Sequence, residues 1–154
     1  MRYLVAGTLL AVPTSLSAAP RLPPRAELTS VEAEGKYAVV EGRACEQFTA
    51  KFEFQGKKAT TYVIELYVEG NGTGERAVLV QTNSVTTSDS QEQPYVAATG
   101  TIVAGTLNSG IAGPEPLPNV GKGKGWSFCL VIKEGKTVVA NSGFSWVHYP
   151  GKPD

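Results

Sequence analysis

Two cysteines and one histidine are the side chains best suited to nucleophilic or metal chemistry, and they stand far apart as Cys45, Cys129 and His148. A nucleophilic cysteine needs a base, usually histidine, to hold it as thiolate. A zinc site needs about four ligands, and this set falls short of that without carboxylates. Asp89 and Asp154 are the only aspartates, whereas calcium loops, phosphoryl-transfer sites and hydrolytic triads draw heavily on acidic groups in fixed positions. Most of the twelve glutamates lie beside turns or alternate with apolar residues, as solvated strand faces do. "GKGKG" (121–125) lacks the Ser/Thr and the spacing of a phosphate loop. No pair of groups has the spacing of acid–base or nucleophilic work. The expectation is a protein that is not an enzyme and uses no cofactor or metal.

The N-terminus gives the cysteines a context. "MRYLVAGTLLAVPTSLSAAP" has one early charge, Arg2, an apolar run from Tyr3 to Val12, and small residues ending at Ala18-Ala19. That order is the signature of a secretory signal peptide over residues 1–18. The apolar run is about half the length that spans a bilayer, so no membrane anchor is expected. Outside the cytosol an even cysteine count points to a disulfide, here Cys45–Cys129. The two are 84 residues apart, a loop whose closure contributes about 4.5 kcal/mol in the chain-entropy model. Two free buried thiols are the next reading.

These residues must be carried by strands. "QFTAKFEFQ" sets Phe48, Ala50, Phe52 and Phe54 on one face and polar residues on the other. "TTYVIELYVEG" aligns Tyr62, Ile64, Leu66 and Val68; "GWSFCLVIK" aligns Trp126, Phe128, Leu130 and Ile132. "TVVANSGFSWVHY" places Val138, Ala140, Phe144, Trp146 and His148 on one side. Such period-two patterns are half-buried antiparallel strands. Weaker strands are expected near 27–33, 37–43, 76–86 and 94–104. "QGKKA" (55–59), "EGNGTGE" (69–75) and a two-residue turn at Glu134-Gly135 serve as hairpin connections. No dozen residues show a helical period. The fold class is all-β: an antiparallel β-sandwich of about seven to eight strands, with a small β-barrel as the alternative. The chain divides into the signal peptide, a Pro-rich leader over 19–26, one sandwich domain over 27–150, and a tail over 151–154. Phe52, Phe54, Ile64, Leu66, Phe128, Leu130 and Ile132 are expected to be buried together.

In strand number, alternation and a single cysteine pair the chain resembles immunoglobulin-like and fibronectin type III-like domains. It departs from antibody domains in parity. Cys45 is out of phase with Phe48, Phe52 and Phe54, and Cys129 is out of phase with Phe128, Leu130 and Ile132. A bridge is therefore expected near an outer face or a strand end, between adjacent strands, not across the core.

Two features suggest binding. The segment 105–125 holds six Gly and three Pro, long for a connection in a compact domain. Within it Pro114, Glu115, Pro116, Leu117 and Pro118 form a stiff extended stretch, and Lys122 and Lys124 add positive charge to a flexible tract. This is the candidate partner-binding loop, and replacing residues 108–122 with a short linker should leave folding nearly intact. The polar tip 86–94 reads as solvated only. Trp126, Trp146, Tyr67 and Tyr149 could stack on sugars if exposed, although core positions are commoner for Trp on such strands. Asn71-Gly72-Thr73 is a glycosylation sequon. Balanced charge, 14 basic and 14 acidic residues, implies no nucleic-acid partner. The expected function is an exported, secreted or periplasmic, non-catalytic module for binding or envelope structure, with a protein or glycan partner. The alternatives are a protease inhibitor acting through 105–125 and a carbohydrate-binding module.

Overall fold

The computed structural model describes residues 26–70, 76–89, 92–106, 109–120 and 124–154. The signal peptide, most of the leader, the Asn71 sequon and Lys122 lie outside these. Eight strands are present: β1 (Glu27–Val40), β2 (Arg43–Lys57), β3 (Thr61–Glu69), β4 (Val78–Thr86), β5 (Tyr95–Gly105), β6 (Gly125–Glu134), β7 (Thr137–Asn141) and β8 (Ser145–His148). They form two antiparallel sheets, β1-β2-β5 and β4-β3-β6-β7, with β8 also pairing β6. Among the described residues there is no helix. The sheets pack face to face as a β-sandwich.

The alternating patterns meet in one core. Phe48, Phe54, Tyr62, Ile64, Leu66, Trp126, Leu130 and Ile132 are fully buried, with Phe52 and Phe128 beside them. All seven residues expected to be buried together are in this cluster. Phe48 meets Trp126 edge to face at 6.0 Å, and Phe54 meets Tyr62 in the same way at 5.2 Å, the geometry favoured by aromatic quadrupoles. Two glycines make room for these rings. A Cβ on Gly35 would run into the six-membered ring of Trp126, and one on Gly56 would lie 2.6 Å from Tyr62 Cε2.

Several boundaries differ from the sequence reading. The expected strands 27–33 and 37–43 are one strand, β1, carried through Gly35 by unbroken pairing with β2. Its turn is Glu41-Gly42, with φ of 51° and 76°, the two left-handed residues of a type I′ hairpin. β2 runs on to Lys57, through the expected loop at 55–59, because β5 pairs it as far as Lys57↔Tyr95. The β6–β7 turn is one residue later than expected: Glu134 pairs Thr137, leaving Gly135-Lys136 at the tip. Along 137–149 the expected side is split: Ala140 packs against the core, but Val138, Phe144, Trp146 and His148 face outward. Val138, Phe144 and Trp146 are 52%, 52% and 47% exposed, whereas Val147 and Tyr149 are buried. A register shift at Ile132/Lys133 and the break between β7 and β8 reset the alternation there.

The disulfide is also corrected. Cys45 and Cys129 are both free and buried. Cys45 is on β2 and Cys129 on β6, in different sheets, so the adjacent-strand bridge is not available. The register of β2 with β1 is unbroken from Arg43 to Phe52, and that of β6 with β3 from Ser127 to Lys133. Cys129 lies opposite Tyr67 on the outer face of β6, whereas Cys45 lines a pocket with Tyr37, Glu46 and Tyr149 at one end of the sandwich. The two thiols belong to different parts of the molecule, and no bridge joins them.

The sandwich's two long seams differ. Along the β4–β5 seam, Gln81 Nε2 donates to Val103 O at 3.2 Å and Asn83 Nδ2 donates to Thr101 O at 2.9 Å. Side-chain amides of one sheet thus satisfy edge carbonyls of the other. The opposite seam, between β1 and β7–β8, stays open.

Candidate functional site

The open seam is a cleft of about 370 Å³. Leu28, Val31 and Ala33 of β1 line one wall, Ser145 and Val147 of β8 the other, with the core residue Phe128 between them. Thr29, Ser30, Asn141 and Ser142 add polar groups. Trp146 completes the rim, and Phe144 precedes it in the chain.

β1 presents an unpaired backbone to this cleft. It has a strand neighbour, β2, on one side only. In a hairpin closed by a two-residue turn, the flanking pair Val40↔Arg43 exchanges hydrogen bonds, and bonded and non-bonded pairs alternate from there. Val31, Ala33, Gly35, Tyr37 and Val39 fall on the non-bonded positions. Their N–H and C=O groups point away from β2, toward the open edge. The side chains of β1 alternate as well: Glu27, Glu32 and Glu34 are exposed on the outer face, with Lys36 as the one basic residue in that row. These charges and an irregularity between Leu28 and Ser30 are the features of this edge that oppose unwanted pairing.

The other chemistry-bearing groups are accounted for structurally. On the outer face of β3 and β6, Lys133 Nζ donates to Glu65 Oε1 at 2.9 Å and Tyr67 Oη donates to Glu65 Oε2 at 2.9 Å. Both carboxylate oxygens are thus engaged. The bond to Glu65 raises the Lys133 pKa, and desolvation followed by Glu65 raises that of Tyr67. This triad holds two strands together and offers no free acid or base. Among the described residues no group of three His, Cys, Asp or Glu side chains is placed to hold a metal.

The predicted binding loop is divided. Pro114, Glu115, Pro116 and Lys124 are exposed. Leu117 is 4% exposed and belongs to the core, its N–H donating to Gly105 O at 3.1 Å. Pro118 O accepts from Trp126 Nε1 at 2.9 Å, and Val120 packs against the core. Residues 117–120 therefore cover one end of the sandwich, and replacing 108–122 would remove the core side chain Leu117, which counts against the expectation that folding stays nearly intact. The proposed sugar platform does not assemble either: Trp126 and Tyr149 pack on each other in the interior at 5.2 Å, leaving Trp146 half exposed and Tyr67 partly buried. The β1–β8 cleft went unread in the sequence. A sheet edge is defined by which strands do not pair, and no local pattern encodes that. The one available signal was the exposed pair Phe144 and Trp146 bracketing Ser145. No protein-family model matches the chain, and no curated protein is significantly similar to it.

Proposed function

We propose that the chain is an exported, non-catalytic β-sandwich module that binds an extended polypeptide by strand addition along β1. The observation that carries this reading is the contrast between the seams. One is closed by Gln81 and Asn83, and the other leaves the edge strand β1 facing, over Leu28–Ala33, a cleft with a tryptophan on its rim. Strand addition draws affinity from main-chain hydrogen bonds and specificity from alternate side chains. An incoming strand would set one row of side chains into the cleft beside Val31, Ala33, Phe128 and Val147. Its other row would lie beside Glu27, Glu32 and Glu34. The reading therefore specifies an alternating segment, apolar on one face and Lys- or Arg-rich on the other.

Ala33→Pro tests this cleanly. The Ala33 N–H points to the open edge, so proline there removes a donor to the guest without breaking the β1–β2 ladder, and edge strands tolerate proline. The variant should keep the wild-type circular dichroism and fail to capture the partner that wild-type protein retains from exported fractions. Undiminished capture by Ala33→Pro contradicts strand addition. The half-exposed Trp146 ring beside hydroxyl groups supports a second reading, glycan binding in the same cleft. There Trp146→Ala should abolish binding and Ala33→Pro should leave it unchanged.

A further inference from the structure

At the end of the sandwich away from this cleft's β1 entry, the β1–β2 hairpin outruns its neighbours. β5 pairs β2 only as far as Gln47↔Gly105, and one further bond, Thr106 N–H to Glu46 O at 3.1 Å, ends the contact, so Arg43–Cys45 have β1 alone as a strand neighbour. Tyr37 and Glu46 are directly opposite each other on the core-facing side of that projecting hairpin. The next core-facing pair is Gly35↔Phe48, over which the Trp126 ring lies. Trp126 in turn contacts Tyr149 at 5.2 Å. The aromatic core thus surfaces here, in a pocket of about 340 Å³ whose lining includes Tyr37, Cys45, Glu46, Thr106, Asn119 and Tyr149.

Glu46 is the unusual member. It is partly buried, and the two ion pairs among the described residues, Lys57–Glu134 and Lys133–Glu65, do not involve it. Burial alone raises its pKa, with no cation offsetting the loss of solvent. Glu46, Tyr37, Cys45 and Tyr149 line one pocket, and the Tyr149 pKa is raised by desolvation first and then by Glu46, Tyr37 and Cys45. A carboxylate with no counter-ion, flanked by two phenol rings, has the composition of a cation site. The carboxylate supplies charge, and ring faces attract ammonium and guanidinium groups through their quadrupoles.

We propose that this pocket binds a small organic cation, an ammonium or guanidinium group, between Tyr37 and Tyr149 with Glu46 as its counter-ion. The site shares Tyr37 with β1 but lies beyond the Leu28–Ala33 stretch that lines the cleft, and it does not depend on strand addition there. It recognises one charged group, free or borne on a side chain.

The test uses the intact protein, labelled with ¹⁵N and titrated with three probes: choline, Nα-acetyl-arginine amide, and 3,3-dimethylbutan-1-ol, the neutral isostere of choline. Saturable shifts of the Tyr37, Glu46 and Tyr149 amides with either cation, and none with the isostere, are expected. Choline alone would identify a quaternary ammonium as the ligand, and the arginine amide alone a side-chain guanidinium. Glu46→Gln, which keeps the shape of the side chain, should weaken binding by about tenfold or more, as the loss of a charged partner does. Equal response to choline and its isostere, no saturable response to either cation, or unchanged affinity in a folded Glu46→Gln variant would overturn the proposal.

Discussion

At the scale of single residues, Leu117 carries more structural weight than its loop context suggests. It sits in a Pro- and Gly-rich segment, yet its side chain is in the core and its N–H is bonded to Gly105. Leu117→Ala should lower unfolding free energy by about 2–5 kcal/mol, as other buried leucine truncations do. Pro116→Ala, on an exposed neighbour, should change it by less than about 0.5 kcal/mol. Urea denaturation of both variants checks the contrast, and equal effects would mean that the segment is not anchored as described. The cysteines offer a second residue-scale check. At 4% and 7% exposure, Cys45 and Cys129 should resist a thiol reagent in native protein, and both should react once the protein is unfolded without reductant. A Cys45–Cys129 bridge would instead leave no reactive thiol in unfolded, non-reduced chains. The parity of the two cysteines was legible in the sequence. Their assignment to opposite sheets was not, because strand order depends on pairings far apart in the chain.

At the scale of elements, the strands themselves could be read with confidence from alternation, since Phe48, Phe52 and Phe54 or Ile64 and Leu66 leave few other arrangements. The β1–β2 turn escaped notice because Glu41-Gly42 lacks the Asn-Gly or Asp-Gly signature, although Glu41 adopts the same left-handed φ. β1 itself appeared as two pieces because Gly35 interrupts a strand pattern. The interruption is a packing requirement of Trp126, and Gly35→Ala should destabilise by about 1–3 kcal/mol through overpacking. The links between strands also set a pH dependence. Lys133 and Lys57 have pKa values raised above 10.5, foremost by hydrogen bonds to Glu65 and Glu134. Tyr62, Tyr67 and Tyr149 are raised above 10.0, foremost by desolvation. In each case the folded state holds its proton more tightly than the unfolded chain. The associated stability is complete below the unfolded value and is lost as pH rises through the folded one. Thermal midpoints should therefore hold between pH 7 and 9 and fall above about pH 10. A midpoint that rises across that alkaline window would have the wrong sign for these groups.

At the scale of the whole molecule, the asymmetry of the two seams organises the account. The β4–β5 side is bridged by Gln81 and Asn83, while the β1–β8 side is open, with Trp146 on its rim. Sequence pattern gives the sandwich but not this difference, because edge and central strands of a polar-faced sheet alternate alike. The most direct measurement is amide hydrogen exchange of β1 in the presence of a synthetic peptide alternating Val and Lys. With the peptide bound along the edge, the amides of Val31 and Ala33, which line the cleft, should gain protection. Those of Glu32 and Glu34, already bonded to β2, should change little. A peptide of the same composition with Pro at every second position should have no effect. Protection gained instead at residues 114–116, or no alternation between neighbouring β1 amides, would contradict strand addition at this edge.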